Sequence, residues 1–313
     1  MGGNGYNRFR PFFICCIAMS RLRADLLLLL VAVIWGAAFI AQKTGMKGLG
    51  PYGFNGSRFL LSLLVVLPFA IKEARSGRPL TRRDLLQGII LCSVFFIGVV
   101  VQQVGMLTTT VTNAGFLTGL YAVLTPVVAL FLFGKRPHWI IAPACVMAFM
   151  GAWLLNGASL SAFKTGDWLM LICALSFAVQ VPLLGLLVQR TGRPLAFVAM
   201  QYSFCTVLGL MVAFFHEGIS AQAINANLPQ IFFAGVISGG IAYTLQAVAQ
   251  QHTPPADAAI IMSGESLFAS LFGVLLLGER LTPMGWSGCA LILGAMLLVE
   301  AGALVFGRLQ TSR

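Results

Sequence analysis

Apolar residues fall in long unbroken runs along this chain, where a half-buried strand would show alternation with polar positions. Ten such runs are read, over 24–42, 52–71, 84–106, 112–134, 138–156, 167–189, 195–215, 229–250, 256–277 and 283–305. Each approaches the roughly 20 residues that a helix needs to cross the hydrocarbon core. The breaks carry turn and charge signals, as at 47–51, 72–83 and 134–137. A transmembrane barrel is excluded, because its strands would alternate over about 10 residues. No long hydrophilic segment remains to form a separate soluble domain.

Composition agrees with this pattern. Of 313 residues, 58% are hydrophobic and only 9% charged, and the mean hydropathy is +0.91. Soluble domains carry roughly 25% charged residues, so an ordinary soluble enzyme and a disordered chain are both excluded. The net charge of +11 does not signal nucleic-acid binding, because the basic residues lie between apolar runs. Seven cysteines occur without a CxxC pair, so neither a metal site nor a disulfide framework is expected. No cofactor is expected either.

Lys and Arg concentrate in loops that face the cytoplasm. With the N-terminus inside, the outside segments hold only Lys43, Lys47, Lys164 and Arg280 of the 20 basic residues, while Arg58 lies within a run. The inside segments hold the rest, including Arg75, Arg82, Arg83, Arg190 and Arg193. Both termini are therefore expected in the cytoplasm, and the chain in a cell (inner) membrane, crossed many times. Residues 12–18 are apolar but too short to span, and either Met1 or Met19 would serve as the start.

The chain also resembles itself. A shift of 144 aligns Gln102 with Gln246, Gly134 with Gly278, Arg136 with Arg280 and Cys145 with Cys289; a shift of 143 aligns Pro51 with Pro194 and Phe54 with Phe197. A shift of 142 sets Asp25 on Asp167. Each half holds five runs. An odd number makes the second copy enter from the opposite face, the arrangement of inverted-repeat carriers with a shared midplane site. The expected architecture is all-α and integral to the membrane: ten transmembrane helices as two inverted five-helix repeats. Residues 1–23 form a cytoplasmic lead, 24–156 the first repeat, 167–305 the second and 306–313 a cytoplasmic tail.

Several short stretches carry a resemblance. Ala32-Val33-Ile34-Trp35-Gly36-Ala37-Ala38-Phe39 is similar to the opening helix of the drug/metabolite transporter superfamily, EamA branch. Val101-Gln102-Gln103, Asn113-Ala114-Gly115-Phe116 and Gly134-Lys135-Arg136-Pro137 resemble its third and fourth helices. Glu265 followed by Leu275-Leu276-Leu277-Gly278-Glu279 resembles its ninth. The family often places proline after that first glutamate; Ser266 stands here, so no kink is expected. The likeness spans about 25–304. It implies a ten-helix carrier that moves metabolites, often outward, through a central cavity.

Charged groups at mid-membrane cost on the order of 2.5–3.5 kcal/mol each on insertion scales. Arg58 and Glu265 lie well inside runs, and Glu300 sits near an inner end, where it snorkels. Arg58, about 10 Å below Pro51, either lines the cavity to attract a carboxylate or phosphate, or snorkels outward. Its counterpart Gln201 is polar as well. Glu265 is placed close to the midplane, to bind a substrate amino group, carry a coupling proton or bond to a neighbouring helix. Gln102 and Gln246 should face the bundle interior. Asn113 and Asp257 each open a helix, where N-capping competes with anion binding. Trp35, Tyr121, Tyr243 and Phe177 are candidates to stack on a substrate or to pack. Gly115…Gly119 and Gly235…Gly239 fit close helix contacts, His252 a turn, and Pro126, Pro143 and Pro182 kinks.

The candidate substrate-binding set is thus Trp35, Arg58, Gln102, Asn113, Tyr121, Gln201, Tyr243, Gln246 and Glu265, with no catalytic or metal-binding residue. The expected partners are a small metabolite and the lipid bilayer, with no nucleic acid and the oligomeric state left open. An intramembrane enzyme would want HExxH or GxSxG and an ATP-driven pump GxxxxGK[ST]; none occurs. A non-transporting scaffold has little need of costly polar groups. A four-helix multidrug carrier is too short and would want an acidic residue near Trp35. The topology is testable: cysteines placed at Ser76 and Ser312, in a background without native cysteines, are expected to resist an impermeant maleimide in intact cells. Labelling of either reverses the orientation.

Overall fold

Backbone N–H and C=O groups have no water to bond in a bilayer, so a spanning chain satisfies them within helices. Every regular element in the computed structural model is helical among the described residues, which are 21–76, 79–133, 139–159, 162–249 and 255–310. The N-terminal lead through Met19, the Gly134-Lys135-Arg136-Pro137 turn, His252 and the last three residues lie outside the described residues, as do the side chains of Asp257 and Glu300.

The elements are α1 (Arg21–Thr44), α2 (Gly50–Ser76), α3 (Arg82–Gly105), α4 (Val111–Gly119), α5 (Tyr121–Phe133), α6 (Ile141–Leu155), α7 (Thr165–Thr191) and α8 (Pro194–His216). A short α9 (Ala221–Ala226), α10 (Leu228–Phe232), a π-helical stretch (Phe233–Ala242), α11 (Tyr243–Ala249), α12 (Pro255–Leu277) and α13 (Pro283–Gln310) follow. Six stretches are long and apolar enough to cross a membrane: Leu22–Thr44, Gly50–Arg75, Arg82–Gly105, Thr165–Val188, Pro194–His216 and Leu228–Gln246. Val111–Thr125, Ile141–Leu155, Gly264–Leu277 and Pro283–Leu298 are shorter apolar helices. Phe131, Phe149, Phe214 and Leu275 are exposed around the outside, as a lipid-facing surface requires. The protein is a multi-pass membrane protein.

Long helices pair across the chain: α2 lies along α8, α3 along α7, α6 along α13 and α1 along α12. The α2–α8 pair is clasped at both ends. Glu217, just past the end of α8, accepts from the backbone N–H of Tyr52 (3.0 Å) and Gly53 (2.8 Å) in the first turn of α2. Glu73, in the last turn of α2, accepts from Leu195 (3.1 Å) and Ala196 (2.9 Å) at the start of α8 and pairs with Arg193. The first N–H groups of a helix have no partner within it, so each helix supplies the cap that the other lacks. Gly115 and Gly119 bring α4 against Ala269, Ser266 and Met296, and Gly235 and Gly239 bring the π stretch against Arg58 and Ser62 of α2.

Four local expectations change. The run 112–134 breaks at Leu120 into α4 and α5, where Gly119 is pressed against Met296 and Ser266. The run 229–250 contains the glycine-rich π stretch rather than one α-helix. Thr110, not Asn113, caps α4: its hydroxyl accepts from the Asn113 N–H, which puts Asn113 inside the first turn. Pro143 lies in the first turn of α6, where a missing N–H costs nothing, so it does not interrupt that helix. Pro182 does lie inside α7, and Pro68 lies inside α2.

Reciprocal capping predicts matched effects. Glu73→Ala and Glu217→Ala should each destabilise the detergent-solubilised protein by about 1–2 kcal/mol, the usual worth of a lost cap. The Glu73 change should cost more, because the buried Arg193 also loses this partner. Thermal unfolding of the two variants measures this, and an unchanged Glu217→Ala protein contradicts it.

Candidate functional site

Aromatic rings form a file through the middle of the helices. Trp35 of α1 lies 5.7 Å from Tyr243 of α11 and donates its Nε1–H to the Ser238 carbonyl at 3.3 Å. Tyr243 lies 6.2 Å from Tyr202 of α8, whose hydroxyl donates to the Gly239 carbonyl at 2.9 Å. Tyr202 meets Phe59 of α2 at 5.4 Å and Phe95 of α3 at 6.5 Å. Phe95, Phe177 of α7 and Tyr121 of α5 continue the file at 6.2 and 6.4 Å. Tyr202, Phe59 and Phe95 were not singled out by sequence. Two of them adjoin residues that were, Phe59 beside Arg58 and Tyr202 beside Gln201, and that adjacency was the available signal.

The two spanning charges lie in this region. Arg58 is 8% exposed, with its guanidinium 4.7 Å from the Phe59 ring centre and 5.9 Å from that of Phe54. Its Nε–H meets no acceptor. Glu265 is 8% exposed as well, and among the described residues its carboxylate has neither hydrogen bond nor ion pair. Cys173 of α7 is close enough to feel both charges, and Tyr243 to feel that of Glu265. Two buried groups of opposite sign are thus each placed near Cys173, and no ion pair joins them. That is costly in a bilayer. Ser266 donates to the Gly115 carbonyl at 3.0 Å, holding this part of α12 on α4.

Other candidates are placed differently. Gln201 is buried and engaged: its Oε1 accepts from Gln180 of α7 at 2.9 Å and its Nε2 donates to the Phe197 carbonyl. Gln102 is buried one turn from the end of α3, and Gln246 is half-buried one turn from the end of α11. Asn113 belongs to a polar knot at the start of α4. Its amide donates to Asn156 and Asp167, Thr109 also donates to Asp167, and Lys43 donates to the carbonyls of Met106 and Thr109. Glu279 caps α4 beside that knot through the N–H groups of Val111 and Thr112. Trp35, Arg58, Tyr121, Tyr243 and Glu265 are thus gathered along the aromatic file, whereas Gln102, Asn113 and Gln246 stand nearer helix ends. No cluster of His, Cys, Asp and Glu among the described residues would hold a metal ion. Two surface depressions lie elsewhere, one of about 180 Å³ beside Arg83 and Arg190 and one of about 500 Å³ between α3 and α8.

Known proteins give this geometry its context. The model of the EamA-like transporter family matches the chain twice, over residues 22–157 and 164–301. The chain belongs to the EamA-like transporter family. An Archaeoglobus fulgidus protein named as an uncharacterized transporter is 35% identical over 289 residues, 90% of this chain and 87% of that one. The Escherichia coli inner membrane transporter YedA, also uncharacterized, is 24% identical over 88% of this chain and 89% of its own length. A probable terminal-alkyne amino-acid exporter of Streptantibioticus cattleyicolor is 25% identical over 90% of this chain and 95% of its own. A crystal structure with a TM-score of 0.63 and 17% identity, covering 93% of this chain and 99% of that one, shares the fold. Family and relatives are named as transporters rather than enzymes.

The Gln180–Gln201 bond ties α7 to α8 beside the aromatic file and is measurable. A double-mutant cycle with Gln180→Leu and Gln201→Leu should show a coupling of about 1 kcal/mol in thermal stability. Additive losses would show that the two amides do not interact.

Proposed function

We propose that this protein is a secondary transporter that exports small organic metabolites such as amino acids, by alternating access of a central site between two inverted five-helix repeats. The observation that carries this reading is the pair Arg58 and Glu265. Both are buried beside the aromatic file, they are opposite in sign, and they have no counter-ions among the described residues. A zwitterion supplies both missing partners at once, with its carboxylate to the guanidinium and its ammonium to the carboxylate. The aromatic file from Trp35 to Tyr121 offers apolar faces for the remainder of such a molecule.

The repeat is supported by the two successive family matches and by the mutual caps of α2 and α8, in which Glu73 and Glu217 take equivalent parts at opposite ends. Their numbers differ by the same 144 that relates Gln102 to Gln246. Five spans per repeat invert the second copy, and rocking one half against the other then exposes Arg58 and Glu265 to each side in turn. The excess of Lys and Arg in the inside loops supports cytoplasmic termini in a cell inner membrane. The amino-acid class is also the one printed for the Streptantibioticus cattleyicolor relative.

Proteoliposomes preloaded with unlabelled amino acids are expected to accumulate labelled substrate by counterflow; no counterflow across an amino-acid and metabolite panel defeats the proposal. Glu265→Gln keeps shape and removes the charge. Lost proton-driven transport with retained exchange assigns Glu265 to proton coupling, and lost binding assigns it to the ammonium. Wild-type transport with an unchanged pH profile removes it from the mechanism.

A further inference from the structure

Three buried amides lie near the ends of α1 and α3 and the start of α2, and two of them bond across these helices. Gln103 Nε2 donates to the Gln42 carbonyl at 2.9 Å, and Asn55 Nδ2 donates to the Val99 carbonyl at 2.9 Å. Val99 and Gln103 are one turn apart, so a single face of α3 receives both contacts. These bonds fix the amide nitrogens of Asn55 and Gln103 and turn their oxygens the other way. Gln103 Oε1, Asn55 Oδ1 and Gln42 Oε1 are all buried and have no donor. The residues are 0%, 1% and 5% exposed.

Orphaned carbonyl oxygens are costly, and most of all in a membrane. The fold does not demand these. The register that pairs Asn55 with Val198 and Gln103 with Ala247 sets apolar residues at both counterparts, and no amide occurs over 184–186, opposite Gln42. The caps Glu73 and Glu217, which the fold does need, recur in both halves. A feature kept in one half alone points to a ligand.

We propose that Gln42, Asn55 and Gln103 supply part of a binding site for a small monovalent cation of the sodium class. The orphaned atoms are neutral oxygens with no thiolate or imidazole among them, a set that suits a hard ion and not a transition metal. Divalent ions usually draw on carboxylates; carbonyl-type oxygens replace the hydration shell of an alkali ion. α1 ends here, and a helix C-terminus carries partial negative charge, whereas the end of α3 is already met by the Lys43 ammonium. The Glu217 carboxylate is bound at Gly53, two residues outward of Asn55, and has no ion pair among the described residues. The neighbouring cations are already engaged: Lys43 Nζ on the carbonyls of Met106 and Thr109 at the end of α3, and the Arg58 guanidinium over the Phe59 ring.

The test needs no substrate, so its failure leaves the transport reading standing. Thermal unfolding of the purified chain is compared in sodium chloride and choline chloride at equal ionic strength. Sodium at about tenfold its dissociation constant should raise the melting temperature by about 3 °C. Gln103→Leu and Asn55→Leu, made separately, remove one orphaned oxygen each, so each should fold in choline and lose the sodium increment. Binding of radioactive sodium should fall in parallel. Equal melting temperatures in the two salts, or a full increment in both variants, would leave only buried water at these oxygens and overturn the proposal.

Discussion

The bilayer's refusal to hydrogen-bond the backbone governs this structure. Within a helix the ladder meets that demand, but the first N–H groups of each helix lie beyond its reach. Here carboxylates borrowed from neighbouring helices complete them: Glu217 at the head of α2, Glu73 at the head of α8 and Glu279 at the head of α4. Most of the few acidic residues are spent in this way, since Asp84 and Asp167 also cap the helices they open. The scarcity of charge in the composition and its location at helix ends are one fact seen twice.

Against that economy, Arg58 and Glu265 stand out. Neither caps a helix, and neither neutralises the other. Their setting is apolar and aromatic, with Phe54, Phe59, Tyr202 and Tyr243 close by. Such a setting strengthens whatever electrostatic contact a ligand makes, because little solvent competes for it. The same surroundings make each unpaired charge expensive to hold.

The six long spans were readable because a crossing helix must be apolar for about 20 residues, and Arg58 and Glu265 were readable because a charge inside an apolar run is conspicuous. Asn113 was misread as a cap because four threonines stand in the five residues before it, and the order of hydroxyls at a helix start decides which one bonds. The breaks at Leu120 and through 233–242 follow from how closely glycines meet Met296, Arg58 and Ser62, contacts that no local pattern encodes. Tyr202 and Phe95 were hidden among other apolar residues, since packing partners follow from helix pairing and not from spacing. The orphaned oxygens of Gln42, Asn55 and Gln103 were beyond reach for another reason: an unmet acceptor becomes visible only once every neighbour is placed.

The double clasp of α2 and α8 has a mechanical meaning. Two antiparallel rods fastened only at their middle pivot like scissors, and rods fastened at one end splay like tongs. Fastened at both ends by backbone N–H groups held on carboxylates, they cannot scissor without breaking four hydrogen bonds or splay at one end without breaking two. Since α2 carries Arg58, that residue is held on a rigid spindle, whereas Trp35 and Glu265 stand on α1 and α12, which this clasp does not fasten.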